Sequence, residues 1–86
     1  MPFTYLYILS DEGKALFIKT KLIAAGNEKS QVCFCGKQLV YYEIFDNLDE
    51  ANNRKKTIES WPEEKIKFLI DFVNPSWEDW KKEISN

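Results

Sequence analysis

Three runs along the chain are apolar on both alternation faces. Phe3 to Leu9 reads FTYLYIL, aromatic or aliphatic at every position but one. That pattern predicts a central strand covered on both sides. Ser10-Asp11-Glu12-Gly13 is a turn signal, with Gly13 free to take positive φ. Ala15 to Thr20, ALFIKT, then predicts a second strand, in a hairpin with the first. Leu39 to Phe45, LVYYEIF, predicts a third, apolar on both faces except at Glu43. Between them, KLIAAGNEKS reads as one or two helical turns broken at Gly26-Asn27. QVCFC reads as a short extended piece ending at Gly36.

After Phe45 the period changes and helix start signals appear. Asn47 with Glu50 three residues on is an N-cap pair, and Asp49 and Glu50 suit the positive helix end. Ser60 with Glu63, and Pro62 in the first turn, opens a second helix. Ile66, Leu69, Ile70 and Val73 give it a core-facing stripe, and Asn74-Pro75 ends it. Ser76 with Asp79 caps a last short helix with Trp77, Trp80 and Ile84 on one face. The order is strand, strand, strand, then three helices. The expected class is α+β, a small three-stranded, mainly antiparallel sheet flanked by helices.

One residue breaks the pattern of the helix from Leu48 to Trp61. On a helical projection Lys55 falls between Leu48 and Ala51, inside the apolar stripe that Ile58 completes. Lys56 points away, and Arg54 flanks the stripe beside Trp61. Two readings stand. Either the Lys55 stem covers core surface while its ammonium reaches water, or this face overlooks a cleft and Lys55 points into it.

Composition narrows what the chain can do. Eighty-six residues, 44% apolar and 30% charged, make one globular domain over 1–86. There is no histidine, and Arg54 is the single arginine, which removes imidazole chemistry and most bidentate phosphate contacts. A net charge of −2 is a weak footprint for a nucleic-acid binder. No apolar run is long enough for a membrane span. Met1-Pro2-Phe3-Thr4 has neither a basic start nor a small-residue cleavage site, so the expected location is cytoplasmic.

The remaining candidates for chemistry are few. Cys33 and Cys35 fall short of a zinc ligand set, and a disulfide across one residue is strained, so reduced thiols are expected. The thirteen aromatics read mainly as core, with Phe34, Trp77 and Trp80 the ones to inspect for exposure. Arg54-Lys55-Lys56 is the one basic triplet, which makes Arg54 and Lys56 possible phosphate contacts. Neither a cofactor nor a metal site is expected.

Together these runs resemble the GIY-YIG endonucleases, specifically their small stand-alone bacterial members. LVYYEIFDNLDEANNRKKTIESW followed by a lysine-bearing helix and NPSWEDW carries most of the likeness. YLYIL stands at the first motif strand and ALFIKT at the second motif. The resemblance implies a metal-dependent DNA-cutting ancestry. Such a site uses a glutamate on the helix after the third strand for the metal and a tyrosine from each hairpin strand. It also uses an arginine, often with a histidine, after the hairpin.

Position by position, Tyr7 keeps the first motif tyrosine. Phe17 stands at the second tyrosine and has no hydroxyl, Lys19 replaces the motif glycine, and Lys55 stands where the metal-binding glutamate belongs. Residues 21–38 hold neither arginine nor histidine. The resemblance therefore implies a domain that has lost nuclease chemistry. It would be a non-catalytic binding module for a protein partner, or weakly for nucleic acid. The alternative is a divalent-metal-dependent endonuclease with a rearranged site.

Overall fold

A computed structural model describes residues 3–11, 15–23, 34 and 36–81. Its elements are β1 (Phe3–Asp11), β2 (Ala15–Ile23), β3 (Gln38–Phe45), α1 (Leu48–Glu59) and α2 (Glu63–Val73). The strands form one antiparallel sheet in the order β2-β1-β3, with β1 in the centre as its two apolar faces require. The fold is the expected small α+β arrangement. No described helix is long and apolar enough to cross a membrane.

Each sheet face has its own apolar cluster. Leu6, Ile8, Val40 and Tyr41 pack with Ile58 of α1 and with Ile66 and Ile70 of α2. Tyr7, Leu9 and Leu39 pack on the other face beneath Phe34, Tyr42 and Trp80. The register shifts between Ile8 and Leu9, which pair with Tyr41 and Leu39. Val40 is the extra residue, and this bulge sets Val40 and Tyr41 in the same cluster.

Asn47 caps α1 as expected, its side chain accepting from the Glu50 N–H at 2.8 Å. Other expectations need correction. Lys21–Ile23 continue β2 rather than starting a helix, because they pair with Phe3–Tyr5. Ser60 closes α1 instead of opening α2: its N–H and hydroxyl are held by the Lys56 and Thr57 carbonyls. Pro62 takes the N-cap position of α2. In the α2 stripe Ile66 and Ile70 are buried, but Val73 lies past the core and is 41% exposed.

The expected last helix is absent over residues 76–80. Helical backbone begins only at Lys81, whose N–H donates to the Asp79 carboxylate at 3.1 Å; the same carboxylate accepts from the Leu39 N–H at 3.1 Å. The Trp80 N–H in turn donates to the Leu39 carbonyl at 2.7 Å. Residues 74–81 thus form a strap tied to β3. Ile84, the thiols Cys33 and Cys35, Gly13 and the Gly26-Asn27 break lie outside the described residues.

Candidate functional site

Strand alternation decides where the sequence candidates go. Tyr7 is buried on the face away from the helices. The hairpin register sets Lys19 opposite Tyr7 and Phe17 opposite Leu9, so both share its face. Lys37 holds its ammonium 4.9 Å from the centre of the Phe17 ring. Lys55, half-buried, belongs to α1, which packs through Ala51 and Ile58 on the opposite face. The sheet therefore stands between Lys55 and the row of Tyr7, Phe17 and Lys19. Those three come together, and Lys55 does not join them.

The stripe on α1 is narrower than projected. Ala51 and Ile58 are fully buried, while Leu48 is 38% exposed. Lys55 sits at the margin of the contact. One flank of α1 meets β2 through Asn52, whose Oδ1 accepts the Thr20 hydroxyl at 3.0 Å. Asp49, Asn52, Asn53, Lys55, Lys56 and Glu59 line an open groove of about 520 Å³ there.

The other flank of α1 meets β3 through a closed polar cluster. Arg54 donates to the Glu43 carboxylate at 3.2 to 3.4 Å through Nε and Nη2. Glu43 also accepts from the Tyr41 hydroxyl. The guanidinium lies 5.3 Å from the Trp61 ring centre, and the Lys65 ammonium covers the same ring at 4.4 Å. Burial works against the Arg54 charge, but Glu43 prevails and holds its pKa above the ordinary value. The Tyr41 hydroxyl is pushed up to about 12, chiefly by burial and then by Glu43, with Arg54 opposing. Of the two phosphate candidates, Arg54 is thus engaged by a carboxylate, and Lys56 is exposed.

The aromatics singled out from the sequence, Phe34, Trp77 and Trp80, are all half-buried. The most exposed aromatics among the described residues are Phe68 and Phe72 on α2, 69% and 78% exposed. With Trp61, Lys65 and Leu69 they line an apolar groove of about 250 Å³. Sequence reasoning missed this ridge because it followed only the buried stripe. The signal was present: Phe68 and Phe72 stand four apart, on the side of α2 away from Ile66 and Ile70.

No protein-family model matches this chain, and neither a curated protein nor a solved structure shows significant similarity to it.

Proposed function

We propose that this chain is a degenerate GIY-YIG-like domain that no longer cuts DNA. It works as a binding module for a protein partner, and holds nucleic acid weakly at most. The aromatic ridge of α2 carries the reading. A small domain gains stability by burying phenylalanine, yet Phe68 and Phe72 stand mostly in solvent beside Trp61 and Leu69. A contiguous apolar patch of this kind is characteristic of a protein-binding surface. Weak nucleic-acid binding follows from charge: Arg54 is paired with Glu43, and the chain is net acidic.

The test is the double variant Phe68→Glu/Phe72→Glu beside the wild type. Both should show the same circular dichroism, because the changes are on the surface. Immobilised wild type should retain specific proteins from the native cell, and the variant should lose them. Identical retention by the two would remove α2 as the binding surface.

A further inference from the structure

The strongest unexplained charge arrangement lies at the β2 edge. β2 is an outer strand, and among the described residues no strand pairs with its free side. Lys19 is exposed and Lys21 half-buried, both on the face away from the helices. Neither is in an ion pair among the described residues. Lys37 stands beside them over Phe17. Across the strand, the flank of α1 joined to Thr20 by Asn52 brings Lys55 and Lys56, with Asp49 and Glu59 on the same flank.

We propose that this edge binds an acidic extended segment of a partner protein, which adds to the sheet as a fourth strand beside β2. The proposal goes beyond the α2 reading and uses a different surface. An added strand takes up the free backbone N–H and C=O groups of an edge, which only a polypeptide can do in register. Its side chains repeat on one face every two residues, about 6.7 Å. Lys19 and Lys21 repeat at that same interval, so carboxylates at alternate positions of the incoming strand meet one lysine each.

The same lysines argue against a second copy of this chain. Pairing β2 with β2 sets Lys19 and Lys21 among their own kind, and like charges across a ladder destabilise it. Nucleic acid would meet the charges but could not extend the ladder.

Amide shifts of the isotope-labelled full chain test this with three probes: an eight-residue peptide alternating glutamate with threonine, the same peptide N-methylated at alternate residues, and an eight-nucleotide oligothymidylate. The first should shift Ala15–Ile23 and the Asn52 flank of α1. N-methylation should abolish binding, and the oligonucleotide should bind less tightly. Lys19→Glu/Lys21→Glu, checked for fold by circular dichroism, should weaken the peptide by about tenfold or more. Phe68→Glu/Phe72→Glu should leave it unchanged, which separates this surface from α2. Equal binding of the N-methylated peptide, tighter binding of the oligonucleotide, or no shift at millimolar peptide would each overturn the proposal.

Discussion

Trp77 and Trp80, three residues apart, pack on opposite faces of the same sheet. Trp77 lies against the helix-side cluster, and Trp80 lies on the other side, edge-on to Tyr42 at 6.1 Å between centroids. The strap therefore folds around the margin of β3, beside its bulge. Trp77 turns the chain by taking φ of 53°, a left-handed conformation that bulky residues rarely adopt and that costs about 1–3 kcal/mol. Its indole N–H donates to Asp71, which ties the turn back to α2.

Asn74 holds that turn in place. It is 3% exposed, and its Nδ2 donates to the Val40 and Glu78 carbonyls while its Oδ1 accepts from the Glu78 N–H, each at 3.0 Å. Asn74→Ala leaves the buried Val40 carbonyl without that donor. The expected loss is about 2–3 kcal/mol. For a domain of this size the melting temperature should fall by roughly 10–20 °C. A melting curve within a few degrees of wild type would show that the strap adds little to the fold.

Tyr41 contributes stability that is lost at alkaline pH. Its folded pKa is raised from the ordinary 10.0 to about 12, so the protonated hydroxyl favours the folded state. That contribution is complete below pH 10 and is lost as pH rises through the folded value. Denaturant midpoints should decline across this window in the wild type. Tyr41→Phe should flatten the decline, while Glu43 keeps its Arg54 partner.

Asp79 acts at the acid end. Burial alone would raise its carboxyl, but the Leu39 and Lys81 N–H groups and the Lys81 ammonium prevail and hold it below the ordinary 3.8. Its contribution is present above that value and disappears as pH falls through the lowered folded one. Asp79→Asn should therefore reduce the acid dependence of the unfolding midpoint as pH falls below the ordinary carboxylate range. An unchanged acid limb would assign that dependence to other carboxylates.

The parts of the fold that follow from period were legible in the sequence. β1, with both faces apolar, had to be central, and Asn47 had to cap a helix. Contacts distant along the chain were not legible. The Val40 bulge offsets β3 by one residue, which alternation alone does not reveal. Trp77 and Trp80 have helical spacing, but a left-handed residue sends them to opposite faces. Ser60 with Glu63 matches a capping pattern, yet the last turn of α1 takes up Ser60 first. The odd-numbered positions Tyr7, Phe17 and Lys19 share a face by hairpin register, which sequence can suggest. That α1 covers the other face depends on tertiary packing, and so the separation of Lys55 from that row emerged only in three dimensions.

That separation sharpens the expectation about DNA cleavage. Under the proposed GIY-YIG-like reading, Lys55 stands where a metal-binding glutamate is expected, and its ammonium opposes a divalent cation. At ~4 Å the repulsion is about 2 kcal/mol even with the screening of bulk water. Lys55→Glu removes the repulsion, but the carboxylate it creates would stand on the helix side of the sheet. Tyr7 is 4% exposed on the other side, beside Phe17, which has no hydroxyl. Arg54, the single guanidinium, is paired with Glu43 and stacked on Trp61. Among the described residues the variant thus has no free guanidinium for a reacting phosphate, and the lysines beside Tyr7 lie across the sheet from the new carboxylate. Plasmid incubated with magnesium or manganese should stay supercoiled with the wild type and with Lys55→Glu alike. Metal-dependent nicking by either protein, abolished by Tyr7→Phe, would establish a working nuclease site and end the reading of this domain as a binding module.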